Sequence, residues 1–242
     1  MATERHFIEL GEIHVEIVRK AIKNLHVGVY PPLGRVRVAA PLHLDEESIR
    51  LALVSRLGWI RRQQERFLDQ ERQSQREMVS GESHYFQGKR YRLTVIEQKG
   101  NPSVTICSHD ILEARVRLGS SREEREAVLD RWYRRQLREQ IPKLLAKWEP
   151  KIGVTVAEWH IKRMKTRWGT CSTDARRIWL NLELIKKPLY CLEYVLVHEL
   201  IHLIEPLHSD RFVEWMDKQL PNWRTLREEL NRTPLSHTEW KY

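Results

Sequence analysis

The sequence predicts an α+β fold, with a strand-rich amino-terminal portion ahead of a carboxyl-terminal portion built on an apolar, histidine-bearing helix. Three observations predict it. Alternating apolar runs fill the first forty-odd residues and return near 90–118 and 158–182. Longer stretches between them carry helical periodicity. An apolar segment near the carboxyl end holds His198-Glu199-Leu200-Ile201-His202. At 242 residues the chain can bury a substantial core. The pattern divides it into a strand-rich portion over 1–120 with one long helix and a metal-binding portion over 121–242, which can also form a single domain.

The first strands are Phe7-Ile8-Glu9-Leu10 and Ile13–Val18, joined at Gly11. Val36-Arg37-Val38-Ala39 comes after the break Tyr30-Pro31-Pro32-Leu33-Gly34. Asp45 is placed to cap a helix running from Glu46 to about Met78. Its apolar positions include Ile49, Leu53, Leu57 and Ile60; the half from Arg61 to Arg76 is almost wholly charged or Gln and reads as a solvated face. A second strand group comes next: Arg90–Ile96, a turn at Lys99-Gly100-Asn101-Pro102, Val104–Cys107, and Ile111–Leu118. Ser121 opens a long helix, with Glu123, Glu124 and Glu126 near its positive end. Val128, Leu129, Trp132, Leu137, Ile141, Leu144, Leu145 and Trp148 form its buried stripe, and Pro142 predicts a bend or restart. Strands resume at Glu158–Met164 and Ile178–Leu182, interrupted by Trp168-Gly169-Thr170-Cys171-Ser172. Pro188 introduces the metal helix, Ser209-Asp210 caps a helix to about Leu220, and a last helical piece spans Trp223 to Asn231. No internal repeat is evident.

On a helix His198 and His202 project from one face, one turn or about 6 Å apart, a separation one metal ion bridges. Glu199, one residue on, can lean over the metal without ligating it and take a proton from water. Pro206 ends the helix and lets the chain return, which makes His208 the natural third ligand. Three imidazoles with a fourth position open to water suit catalytic Zn²⁺. The background of Tyr194, Val195, Leu196, Val197, Leu200, Ile201, Leu203 and Ile204 is strongly apolar. Polar groups placed there are costly unless a metal pairs them.

A formal charge of +9 and a pI near 9.6 favour anionic partners. Mean hydropathy of −0.58 describes a polar surface. Cys107, Cys171 and Cys191 form no C-x-x-C pair, which argues against a disulfide framework or a cysteine zinc site. The polar start and the absence of a membrane-length apolar run point to a cytoplasmic protein.

Four features in order resemble the YgjP-like metallopeptidase domain family, a zincin group of predicted metal-dependent hydrolases. They are Trp168-Gly169-Thr170-Cys171-Ser172, Leu180-Asn181, Tyr194–His202 and His208-Ser209-Asp210-Arg211-Phe212. The resemblance is strongest over 150–230 and looser over the amino-terminal strands and Gly88-Lys89-Arg90-Tyr91. Thr170 stands where the family commonly has Ser. The resemblance implies His198, His202 and His208 as zinc ligands, Glu199 as general base, and a zincin-like sheet packed over the metal helix. A more distant likeness is to SprT-like proteases, which digest proteins crosslinked to DNA, although no zinc ribbon is apparent.

Residues and resemblance together indicate a zinc-dependent hydrolase, a metallopeptidase acting on peptide. A metal-dependent nucleotide pyrophosphatase acting on an anionic small molecule and a nucleic-acid-associated SprT-like protease are the alternatives. A peptide is expected along an edge strand formed by Trp159–Met164 or Ile178–Leu182. Strand alternation puts Arg163, Lys165 and Arg167 on one face and Lys162, Met164 and Thr166 on the other. Met164 marks the second set as the core side, so Arg163, Lys165 and Arg167 are expected to face substrate. Asn181, Tyr194 and Arg167 are candidates for polarising a substrate oxygen. Glu205, Asp210 and Glu214 are candidates for orienting the ligand imidazoles, and Cys171 for packing.

Overall fold

The computed structural model describes residues 5–30, 34–69, 76–164 and 167–232. The chain forms two compact units, Met1–Arg72 and Gln73–Tyr242. The division therefore falls ahead of the second strand group and not at residue 120. The reason lies in the core: Leu93 and Leu112 of that group share one buried cluster with Leu129, Ile141 and Leu196. Among the described residues no helix is long and apolar enough to cross a membrane.

In the first unit β1 (Arg5–Leu10), β2 (Ile13–Lys20), β3 (His26–Tyr30) and β4 (Arg35–Pro41) form a sheet of order β1-β2-β4-β3. Its two hairpin pairs are antiparallel and the central β2–β4 pair is parallel. Strand β3 escapes the sequence pattern because Gly28 interrupts its alternation. The glycine has a use: a Cβ there would stand 2.6 Å from the Tyr30 ring. Helix α1 (Glu46–Val54) is capped by Asp45, whose carboxylate accepts from the Ser48 amide at 2.7 Å. The single helix expected to run to Met78 instead breaks at Ser55-Arg56, and α2 (Leu57–Asp69) begins anew. Ser55 Oγ donates to the Ala52 carbonyl at 3.0 Å, and the Arg56 amide takes the Leu53 carbonyl, which tightens the last turn. Residues 70–75 lie outside the described residues; 76–79 are not helical, and Met78 has φ 58°. Val15, Ile17, Val36, Val38, Ile49, Leu53 and Ile60 make the core of this unit.

The second unit opens on the same topology. Strands β5 (Ser83–Phe86), β6 (Lys89–Glu97), β7 (Ser103–Ile106) and β8 (Ile111–Val116) are ordered β5-β6-β8-β7, again antiparallel, parallel, antiparallel, and lead into helix α3 (Arg122–Ile152). Element starts are 76 residues apart (13 to 89, 35 to 111, 46 to 122). The buried positions correspond: Val15 with Tyr91, Ile17 with Leu93, Val36 with Leu112, Val38 with Ala114, Ala40 with Val116, Leu53 with Leu129. The chain thus carries a ββββα unit twice, contrary to the expectation of no repeat. Few of these pairs are identical residues, so only the burial pattern survives.

Ser121 and Glu124 form a reciprocal capping box at the start of α3, and Gly153 in the left-handed region ends it. The restart expected at Pro142 does not occur. Pro142 and Pro150 both lie within one helix, held on either side by the buried stripe from Val128 to Ile152. Beyond it, β9 (Glu158–Lys162), β10 (Gly169–Ser172) and β11 (Arg177–Asn181) form a sheet of order β10-β11-β9. A short 3₁₀ turn (Leu182–Lys186) leads into α4 (Leu189–Ile201), followed by α5 (Asp210–Gln219) and α6 (Trp223–Arg232). Helix α4 packs against α3, α5, α6, β10 and β11. On the α3 side, Glu193 accepts from Trp148 Nε1 at 2.7 Å and Lys147 Nζ at 2.6 Å.

The β5–β6 hairpin anchors the approach to α4. Its turn residues Gln87 and Gly88 both have positive φ, as a type I′ turn requires. Their amides donate to the Ile185 and Lys186 carbonyls at 2.8 and 3.1 Å. A Cβ on Gly88 would meet Pro188 Cγ at 2.6 Å and its backbone nitrogen at 3.1 Å. Gly88→Ala is therefore expected to cost about 3 kcal/mol or more, from strain and overpacking together. Gly119→Ala, at φ 68° with nothing within 4 Å, should cost only about 1 kcal/mol of strain. Urea unfolding of the two variants measures the difference.

Candidate active site

Helix α4 is buried along nearly its whole surface: Leu192, Tyr194, Val195, Leu196, Val197, Leu200 and Ile201 are all enclosed. It ends at Ile201, with tight turns carrying the chain to Glu205 before Pro206. This return brings His208 back to His198. The Nε2 atoms of His198 and His202 lie 3.2 Å apart, and those of His198 and His208 3.0 Å apart. The ligand atoms of all three fall within 4.8 Å of one another.

The donor set fits a small divalent cation. Tetrahedral imidazole ligands at 2.0–2.1 Å from zinc stand about 3.3 Å apart. Burial holds the His198 imidazole down to about 3, aided by the neighbouring His202, His208 and Arg227, and burial also lowers His202. Both are thus neutral with a lone pair to give, as metal ligation requires. His202 Nδ1 lies 3.1 Å from the Glu205 carbonyl; as a donor there it leaves Nε2 free. Glu205 therefore reaches the site through its backbone. Phe212, missed as a site residue by the sequence reading, packs its ring 4.8–4.9 Å from all three imidazole centroids. Its signal was its place three residues past the Ser209 cap, which its amide contacts at 3.3 Å.

Glu199 is only 5% exposed. Burial raises its carboxyl to about 8, opposed by the Arg167 guanidinium. A dication on the histidines would act in the same direction as Arg167 and favour the carboxylate. Strand β10 runs beside it. Register pairs Gly169 with Leu180 and Cys171 with Ile178, so Gly169 and Cys171 face the core side of the sheet. Burial and the nearby Glu199 raise the Cys171 thiol to about 11, which keeps it protonated and a poor ligand.

The expected substrate-binding residues separate. Arg163 is taken up by carboxylates of its own chain. Its Nη1 donates to Glu126 at 2.8 Å and its Nη2 to Asp130 at 2.6 Å, with Glu183 3.8 Å from Nε. The strand parity is the reverse of that expected. Trp159 and Ile161 pair with buried Ile178 and Leu180, while Glu158, His160 and Lys162 are exposed. Met164 misled because β9 has ended before it. Lys165, with Thr166, lies outside the described residues. Arg167 is exposed on the Glu199 side. Asn181 is fully buried and structural. Its Nδ2 donates to the Met164 and Arg167 carbonyls at 2.8 and 2.7 Å, and its Oδ1 accepts from the Met164 and Glu183 amides. With both ends of its amide engaged, it has no donor left for a substrate oxygen. Tyr194 sets its ring edge-on to His198, 6.1 Å between centroids. Asp210 and Glu214 are exposed, and among the described residues no hydrogen bond joins them to a histidine. Strand β11 is central in its sheet, so it offers no free edge; β9 and β10 are the edges.

The family model described as YgjP-like, metallopeptidase domain, matches residues 23–233, and the chain belongs to that family. No curated protein matches the chain. The crystal structure of the metallopeptidase zymogen abylysin of Pyrococcus abyssi aligns with a TM-score of 0.35 at 21% identity, covering 37% of this chain and 90% of that one.

Asn181→Ala would leave two carbonyls and two amides without their partner. It should destabilise the protein by about 2–4 kcal/mol in urea unfolding. An unchanged midpoint with lowered turnover would instead return Asn181 to the substrate.

Proposed function

We propose that this member of the YgjP-like metallopeptidase family is a zinc-dependent peptidase in which His198, His202 and His208 hold the metal and Glu199 is the general base. The observation that carries the proposal is the convergence of three imidazole nitrogens, at 3.0 and 3.2 Å from His198, beside a buried carboxylate. When bound, zinc supplies Lewis-acid polarisation of a carbonyl and acidifies the attacking water. Glu199 takes the proton from that water on its carboxylate and hands it to the leaving amine as the C–N bond breaks.

Strand β10 is the substrate shelf in this reading. It is an edge strand, it borders Glu199, and its side away from β11 has no strand partner among the described residues. An extended peptide can add there by main-chain hydrogen bonds. Arg167 is the described basic residue on that side and accounts for any preference for acidic peptides. The pyrophosphatase alternative is weaker, because Arg163 is committed to Glu126 and Asp130 and cannot grip phosphate. The free thiols of Cys107, Cys171 and Cys191 suit a reducing compartment, and we propose a cytoplasmic location on that ground.

Each of His198→Ala, His202→Ala and His208→Ala should lower zinc content well below one per chain, as read by metal analysis. Glu199→Gln should keep the metal and lose about 10²–10⁴-fold in turnover of a fluorescent casein. A zinc-loaded Glu199→Gln protein with wild-type turnover would be incompatible with this mechanism.

A further inference from the structure

Gly169 has no room for a side chain. A Cβ built there would stand 2.5 Å from Glu199 Oε1, 2.8 Å from its Cγ and 2.9 Å from its Cδ. Contacting carbons keep about 3.5–4.0 Å, and all three atoms belong to one side chain. The glycine is not needed for its backbone, since Gly169 is absent from the positive-φ residues. What its missing side chain provides is space for one carboxylate. We propose that Gly169 is a positioning residue: the bare backbone of β10 forms the wall that sets where the Glu199 carboxylate points. This rests on the reading of Glu199 as general base.

The wall itself is fixed from behind. The Asn181 amide donates to the Trp168 carbonyl at 2.9 Å, and Asn181 Nδ2 holds the Arg167 carbonyl. Antiparallel pairing of Gly169 with Leu180 continues the constraint into the sheet. On the other side, Glu199 is rooted in a buried helix. A methyl group at 169 therefore displaces the carboxylate in preference to the strand. The carboxylate of Glu199, a residue only 5% exposed, is then held off its working position. A misplacement of about 1 Å can cost about 10²-fold in rate.

The test is a double-substitution cycle on the full chain. In the metal-free protein, Gly169→Ala should lower Tm by about 2–4 °C. In a Glu199→Ala background the vacated space accepts the methyl group, and the same change should leave Tm within about 1 °C or raise it. An equal loss in both backgrounds, or none in the wild type, overturns the proposal. In the zinc-loaded protein, Gly169→Ala should lower kcat on fluorescent casein about 10²-fold with KM and zinc content unchanged. A loss confined to KM or to zinc would also overturn it. Glu199→Gln is measured alongside: if that variant turns over casein normally, the general-base reading fails, while the Tm cycle still reports on the seat.

Discussion

The second unit depends on burying a helix that carries polar groups. Helix α4 is enclosed by α3, the sheet, α5 and α6, and an unpaired charge in such a place costs several kcal/mol. The fold meets that cost locally. The His198 and His202 imidazoles are kept neutral by the same burial that would penalise their charge. The aromatic ring of Phe212 fills the space behind them without offering a competing donor. Glu199 is the exception: burial pushes its carboxyl up, and the Arg167 guanidinium opposes that.

The sheet over the helix is organised by a single buried amide. Asn181 closes β11, caps the 3₁₀ turn through the Glu183 amide, and ties down the segment before β10. One side chain thus fixes both the chain entering the edge strand and the chain leading to α4. The Gln87-Gly88 hairpin adds a second clamp on the same 3₁₀ turn from the preceding sheet. Glu199 is consequently held between two pieces of fixed backbone, the arrangement that the proposed role of a positioned base would need.

How much of the molecule was legible in the sequence depends on the physics of each signal. The convergence of His198, His202 and His208 was readable because a four-residue helical spacing and a proline-enabled return are local rules. Caps at Asp45, Ser121 and Ser209 were readable for the same reason. Arg163 was misassigned because its ion pairs with Glu126 and Asp130 cross 37 and 33 residues, and strand parity was inferred from Met164, which lies past the end of β9. The role of Asn181 likewise depends on carbonyls 14 and 17 residues away. The break at Ser55-Arg56 was hidden because helical periodicity continues from Leu53 to Ile60 across it.

The repeated ββββα topology was invisible for a different reason. At the 76-residue offset the two copies keep buried positions such as Ile17 and Leu93 but not residue identity, and a sheet tolerates such exchanges as long as volume and alternation are kept. The copies also differ in their helices. In the first, the helical segment breaks at Ser55-Arg56; in the second, it runs unbroken from Arg122 to Ile152 and carries Trp148 and Lys147 to α4, Arg134 to the Ile161 carbonyl and Asp130 to Arg163. The longer helix is what joins the second copy to the β9–β11 sheet and α4. Topology is shared by the two copies; attachment to α4 and the β9–β11 sheet belongs to the side chains that α3 alone carries.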